Sequence, residues 1–114
     1  MGDAEVAVLA EVLPQCSALT ELYLQRNEIA DAGAQALADA LPQSGLEGLK
    51  LDSNQIGDSG AQALANALPQ CGLEMLFLHK NQIGDSVKSE LYEMHKDGSN
   101  PVLNREGGPI SIWV

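Results

Sequence analysis

The apolar residues of the chain return in the same order at a fixed interval. Leucines at 19, 46 and 73 are 27 residues apart, and each begins the same pattern: leucines three and five positions on, an asparagine eight on and an isoleucine ten on. The segments that follow also match, since residues 31–43 align with residues 58–70. Similarity this dense over two full periods indicates an internal repeat.

The first half of each copy predicts a short strand. In Leu22-Tyr23-Leu24 the leucines alternate with a tyrosine, so both leucines point to one side of a strand and Tyr23 to the other. Lys50 and Phe77 take the outward position in the other copies. A side chain that both donates and accepts hydrogen bonds follows each strand, at Asn27, Asn54 and Asn81. We expect these asparagines to stack as a structural ladder that satisfies the backbone of the turns.

The second half of each copy predicts a helix. Alanine and leucine recur at helical spacing in both copies. Asp31 and Asp58 are expected as N-caps of these helices. Pro42 and Pro69 are expected to end them.

The ends of the array depart from the repeat. A partial helix is expected over residues 4–13, and a more polar closing helix over about 85–97, where Val87 replaces the glycine of earlier copies. Residues 1–97 are therefore expected to form the repeat domain, and residues 98–114 a flexible C-terminal tail. Its end, Ile112-Trp113-Val114, has two other interpretations: a strand that pairs with the open end of the array, or a ligand of PDZ domains.

Strands and helices that alternate, and that cannot bury their apolar faces alone, predict a solenoid with a parallel sheet. The segments beginning near 19, 46 and 73 resemble the leucine-rich repeats, whose Leu-x-x-Leu-x-Leu-x-x-Asn-x-Leu signature they match with isoleucine last. The long helical half resembles the ribonuclease-inhibitor-like subclass, as in NOD-like receptor repeats and Ran GTPase-activating proteins. The fold class is expected to be an α/β leucine-rich repeat arc, with a short parallel sheet on the concave face and helices on the convex face.

Charge and cysteine content narrow the partners and the compartment. The net charge is −10, from 16 acidic and 6 basic residues, which argues against nucleic acid or an anionic membrane and is compatible with a basic protein partner. No apolar run approaches the roughly 18 residues of a membrane span. Cys16 and Cys71 are expected as thiols in a reduced chain. These features, with the acidic N-terminus, favour a cytoplasmic protein.

The register of the strands gives the residues expected on the concave face. The candidate protein-binding residues are Glu21, Tyr23, Gln25, Arg26, Lys50, Asp52, Ser53, Met75, Phe77, His79 and Lys80. Exposed aromatics and Met75 among charged residues are typical of a protein-binding surface. The alternative is an ordinary solvated sheet.

The sequence holds no convincing catalytic or metal site. His79 near Asp52 is interpreted as a surface polar pair, because no nucleophile elbow, phosphate-binding loop or third convergent group accompanies it. No histidine has metal-ligand spacing to a cysteine pair. We therefore expect no metal, no cofactor and no enzyme activity.

The function that the resemblance implies is non-catalytic protein–protein interaction through the concave face. One alternative is a regulator of an enzyme, either a GTPase activator or an inhibitor of a basic enzyme. Another is a structural fragment of a longer repeat array. The N-terminal end shows no convincing polar cap, so self-association through an uncapped repeat end is also a hypothesis.

Overall fold

The computed structural model describes residues 1–96 and 110–114, and within them helices and strands alternate along the chain. The elements are α1 (Asp3–Val12), β1 (Glu21–Tyr23), α2 (Asp31–Ala40), β2 (Gly48–Lys50), α3 (Asp58–Ala67), β3 (Met75–Phe77), α4 (Asp85–Lys96) and β4 (Ser111–Trp113). A short 3₁₀ turn with proline in its second position follows each of the first three helices. Proline ends the α-helix there because it has no N–H to donate.

The strands form one parallel sheet in the order β1-β2-β3-β4. Leu49 and Leu76 are fully buried at the centre of β2 and β3, and Ile112 is buried at the centre of β4. The leucines and alanines of α2 and α3 close the other side of the same core. The expected α/β arc is confirmed, because strand and helix bury their apolar sides against each other.

The end of the chain lies in the sheet. Ser111, Ile112 and Trp113 pair with Met75, Leu76 and Phe77 in register, and the Leu78 N–H donates to the Trp113 carbonyl at 2.6 Å. The interpretation of residues 98–114 as a flexible tail therefore does not hold for residues 110–114. Pairing with the open end of the array is favoured because Ile112 covers apolar surface that would otherwise face water. Residues 97–109 lie outside the described residues.

The aspartates at the helix starts cap their neighbours rather than their own helices. The N-cap residues of α2 and α3 are Ala30 and Gly57, so the expectation of Asp31 and Asp58 as N-caps is wrong. Asp31 Oδ1 accepts hydrogen bonds from the Gly57 N–H at 2.7 Å and the Gly60 N–H at 3.0 Å. The carboxylate thus satisfies helix N–H groups one repeat later, which ties successive helices together.

This capping requires a close approach between helices. A Cβ atom on Gly60 would lie 2.8 Å from Asp31 Oδ1 and 2.9 Å from the Ala34 Cβ. Gly33 is equally confined, against Asp3 Oδ1 at 2.6 Å. Glycine is therefore required where α2 and α3 each meet the preceding helix.

The helix α1 supplies its own N-terminal acceptor. Glu5 stands where the later helices have glycine, and its Oε1 accepts from the Gly2 N–H at 2.7 Å. Val8 and Val12 on α1 are 63% and 42% exposed. The N-terminal helix thus has a polar cap at its start and an exposed apolar pair further along.

Candidate protein-binding face

The side chains of the strands that point away from the helices form the candidate site, which we call the strand face. Leucines alternate with outward residues in each strand, so the register fixes which outward side chains become neighbours. The central row of this face runs across all four strands and consists of Tyr23, Lys50, Phe77 and Trp113. Two of the sequence-predicted aromatics and a sequence-predicted cation are brought together in it.

The members of the central row contact one another. The Lys50 Nζ lies 4.8 Å from the centre of the Tyr23 ring and 5.1 Å from the centre of the Phe77 ring. Such cation–π contacts hold an ammonium group in place without neutralising it. The Trp113 and Phe77 rings meet edge to face at 5.9 Å between centroids. Tyr23 and Trp113 are 52% and 59% exposed, so both ends of the row present aromatic surface to solvent.

The row at the N-terminal side of the strands consists of Glu21, Gly48, Met75 and Ser111. A Cβ on Gly48 would lie 3.2 Å from the Met75 Cε and 3.4 Å from the Glu21 Cγ, so glycine leaves room for both neighbours. The Tyr23 hydroxyl donates to Glu21 Oε1 at 2.9 Å. This hydrogen bond, helped by slight desolvation and by the carboxylate charge, raises the pKa of Tyr23 above its ordinary value.

The row on the other side of the central row contains Gln25, Asp52 and His79. His79 Nε2 lies 3.5 Å from Asp52 Oδ2, and its ring lies 5.8 Å from that of Phe77. Gln25 Oε1 and Asp52 Oδ1 are shielded from solvent, and no donor in the described part of the chain reaches them. Buried acceptors without donors are uncommon in folded proteins.

The rim of the strand face is formed by Arg26, Ser53 and Lys80, which share an uncommon backbone conformation. Their φ angles are 59°, 58° and 58°, in the left-handed region that residues with a Cβ rarely adopt. The neighbouring turn holds them, since the Arg26 N–H donates to the Asp52 carbonyl and the Ser53 N–H to the His79 carbonyl. Arg26 and Lys80 are exposed, so the rim carries two cations.

The three asparagines lie behind the rim and join the turns. Asn54 Oδ1 accepts from the Asn27 and Ile29 N–H groups, each at 3.1 Å, and its Nδ2 donates to Leu24 and Leu51 carbonyls. Asn81 makes the equivalent bonds one repeat later, including one from the Ile56 N–H at 2.9 Å. The ladder fixes the turns from which the rim residues project.

The positive charges of the strand face lack carboxylate partners. His79 and Asp52 form the only ion pair among the residues that the structure describes. Arg26, Lys50 and Lys80 are three of the 6 basic residues of the chain, and none of them lies within ion-pair distance of the 16 acidic ones where these are described. In a chain of net charge −10, this leaves a cationic patch on an otherwise acidic surface.

Metal-binding clusters and membrane-spanning helices are absent from the described residues. The described side chains, those of residues 1–91 and 110–114, include no group of three or more His, Cys, Asp or Glu placed to hold a metal ion. None of the described helices is long and apolar enough to cross a membrane. An open groove of about 320 Å³ lies between α2 and α3, bordered by Gln35, Asn66 and small side chains.

Trp113 and its strand neighbour Ser111 are on the strand face but are not among the residues that the sequence predicts there. Their signal is the alternation of Ile112 and Val114, which occupy the register of Leu76 and Leu78. Strand pairing is one of the sequence-based interpretations of this end, but β4 begins 36 residues after β3 rather than 27 (111 against 75), so the repeat does not predict it.

Comparison with known proteins places this arrangement among repeat proteins. The leucine-rich repeat family model matches residues 15–38 and 46–65. The fold is similar to that of a solved structure described as Leiomodin-1 Actin-Binding Site 2, with a TM-score of 0.77 and 24% sequence identity. The match covers 100% of this chain and 65% of that one. A search of curated protein sequences finds no match.

The matched segments contain two of the three in-register repeats, and the similar structure shares the whole strand-and-helix arc. At 24% identity that likeness concerns the fold alone. Together with the asparagine ladder and the parallel sheet, these findings show that the chain has the α/β leucine-rich repeat fold.

Proposed function

We propose that the chain is a non-catalytic module that binds a protein partner on its concave strand face. The central row, Tyr23, Lys50, Phe77 and Trp113, is the observation that carries this proposal. Aromatic side chains at the centre of a surface and next to a cation contribute most of the affinity in many protein interfaces. The Lys50 ammonium and the Phe77 ring already contact their neighbours in the row, so less side-chain entropy is lost when a partner covers it.

The similar solved structure supports the general class of function. The name of that structure describes an actin-binding site, which is a protein interaction. Because the chain spans 65% of that structure and shares only its fold, actin is not proposed as the partner here. The proposal is a protein-interaction module whose partner is determined by the strand face of this chain.

A role as a regulator of an enzyme remains the second hypothesis. A GTPase activator or an inhibitor of a basic enzyme was expected to use the acidic charge of the chain. The strand face offers less support for a basic partner, because its cations are Arg26, Lys50 and Lys80 and one of its carboxylates, Asp52, is only 16% exposed. A basic partner would fit the helix side better.

We also propose that the chain belongs to the ribonuclease-inhibitor-like subclass, lies in the cytoplasm and associates through its N-terminal end. The ten-residue helix in each internal repeat supports the ribonuclease-inhibitor-like subclass, as in NOD-like receptors. The two cysteines form no disulfide with each other, which supports a cytoplasmic location. The exposed pair Val8 and Val12 on α1 supports self-association, or a longer array, at the N-terminal end.

The test of the proposed function is affinity capture from a cytosolic extract, followed by titration of the purified partner. One bait is the chain itself and the second carries Tyr23→Ala, Lys50→Ala and Phe77→Ala. A control bait carries Ser59→Ala, Gln62→Ala and Asn66→Ala on the exposed side of α3.

We expect a partner that the chain and the control bait retain and that the strand-face variant loses. Circular dichroism of each bait serves as the control for folding. Retention of the same proteins by all three baits contradicts the proposal, because the strand face would then not be the binding surface.

A further inference from the structure

We propose that the strand face recognises an acidic segment of its partner, with one carboxylate over Lys50 and an apolar side chain on Trp113. This inference rests on the proposed function and specifies its ligand chemistry. The carboxylate chemistry follows from the charges of the face, and the apolar contact follows from the position of β4.

Lys50 is the centre of the proposed contact. Its Nζ lies between the Tyr23 and Phe77 rings, at 4.8 Å and 5.1 Å from their centres. In the described residues no carboxylate forms an ion pair with it, although the chain carries 16 acidic residues. An ammonium held in place by two rings and left without an anion is prepared to bind one, because little reorganisation is needed.

The remaining charged residues of the strand face determine whether it attracts an acidic or a basic segment. The rim adds Arg26 and Lys80, both exposed, on the C-terminal side of the strands. Of the face's carboxylates, Asp52 is paired with His79, and Glu21 accepts the Tyr23 hydroxyl on the opposite side of the central row. An anionic segment is therefore attracted to the middle and the rim, whereas a basic segment meets three uncompensated cations.

The C-terminal strand supplies the second contact of the proposed site. Trp113 is 59% exposed, and its ring meets Phe77 edge to face. It lies two strands from Lys50, or roughly 10 Å at about 4.8 Å per strand. An extended chain covers that distance in about three residues, and its side chains alternate between two sides. The acidic and apolar side chains are therefore expected two or four positions apart, on the side that meets the strand face.

The experiment selects from a library of random 12-residue peptides displayed on phage, with the full chain as target. Enriched sequences are synthesised without tryptophan and titrated while the emission of Trp113, the single tryptophan, is recorded. Each peptide is compared with a version in which its acidic residue is replaced by the neutral amide. Trp113→Ala has no such signal, so its binding is measured with fluorescein-labelled peptide.

We expect enrichment of peptides with Asp or Glu two or four positions from an apolar residue, in either order. Their binding shifts the Trp113 emission. Lys50→Met and Trp113→Ala are expected to weaken affinity at least about tenfold, since each removes a central contact. The control Lys88→Met, on the exposed side of α4, removes one positive charge away from the face and leaves affinity unchanged.

The contrary results separate this inference from the proposed function. Enrichment of basic or uncharged peptides that still depend on Tyr23 and Phe77 overturns the acidic specificity and leaves the strand face as the binding surface. Peptides that bind all variants equally overturn both. Selection without any acidic class above the starting library also overturns the inference.

Discussion

At the scale of the residue, Asn54 satisfies more backbone groups than any other single side chain of the described turns. Its amide makes hydrogen bonds with backbone groups of two successive repeats while it is only 7% exposed. Asn54→Ala leaves the Asn27 and Ile29 N–H groups without an acceptor, whereas the carbonyls that Asn54 contacts keep other donors. Each buried group left unpaired costs about 1–3 kcal/mol. We expect the free energy of unfolding to fall by about 3 kcal/mol or more, measured by chemical denaturation.

The matched control for that prediction is the next residue in the chain. Gln55 is exposed, and its side chain has no part in the ladder. Gln55→Ala is expected to change the unfolding free energy by less than about 0.5 kcal/mol. Equal effects of the two substitutions would show that the ladder does not stabilise the turns.

The hydroxyl of Tyr23 reports on the geometry of the strand face. Its pKa is raised because the neutral phenol donates to Glu21, whereas the phenolate would face that carboxylate. In a Tyr92→Phe background, ultraviolet titration should give Tyr23 an apparent pKa above that of free tyrosine. Glu21→Gln should lower it toward the ordinary value. An unchanged titration on this substitution would mean that the contact is absent in solution.

Residue roles were predictable from the sequence where they are local to one repeat. The positions of the asparagines and of Tyr23 follow from alternation within a single copy. The action of Asp31 on Gly57 and Gly60 was missed, because it depends on how closely two helices approach. The left-handed conformation of Arg26 was missed as well, because no glycine marks it.

At the scale of the element, the separation of the helices depends on single glycines. Gly60→Ala would place a Cβ 2.8 Å from Asp31 Oδ1, which is itself held by two N–H groups. Helix propensity alone favours alanine by about 1 kcal/mol. We expect the clash to dominate and to destabilise the chain by about 1–3 kcal/mol in thermal or chemical unfolding.

The control for this prediction lies one residue earlier on the same helix. Ser59 is exposed, so Ser59→Ala gains propensity without a clash and should be neutral or slightly stabilising. Stabilisation by Gly60→Ala would contradict the close packing of α2 against α3.

The repeat predicts the internal strands and helices because each copy has apolar residues at the same positions, and these must be buried in the same way. Where the period fails, prediction becomes weaker. Val87 stands at the position of the confined glycines, and β4 follows β3 at a longer interval than the repeat sets. The pairing of β4 depends on the apolar edge that the array leaves open, which only the assembled sheet defines.

At the scale of the whole molecule, β4 covers that open end of the sheet. Ile112 is 3% exposed, and Ile112→Ala is expected to lower the unfolding free energy by about 2 kcal/mol. Hydrogen exchange should quicken at the Leu78 amide, which donates to the Trp113 carbonyl.

Ser111→Ala is the control, since Ser111 is exposed in the same strand and keeps its backbone bond to the Glu74 carbonyl. It should leave both stability and exchange unchanged. Identical exchange at Leu78 in the parent chain and in Ile112→Ala would indicate that β4 does not protect β3.

The charge distribution of the whole molecule changes the expectation for its partner. Net charge alone is compatible with a basic partner, whereas the strand face carries unpaired cations beside aromatic rings. Apart from Ser111 and Trp113, the residues that share this face are predictable from the sequence. The sequence could not predict which charges remain unpaired there, because that depends on distances between side chains.

The central claim is that the strand face binds a protein partner, and its most direct test is nuclear magnetic resonance with the ¹⁵N-labelled chain. Purified partner is added, and the amides that shift or broaden are mapped. The account predicts changes concentrated in residues 21–26, 48–53, 75–80 and 111–113, with the α2 and α3 amides little affected. Changes concentrated on the helices, with the strands unperturbed, would contradict it.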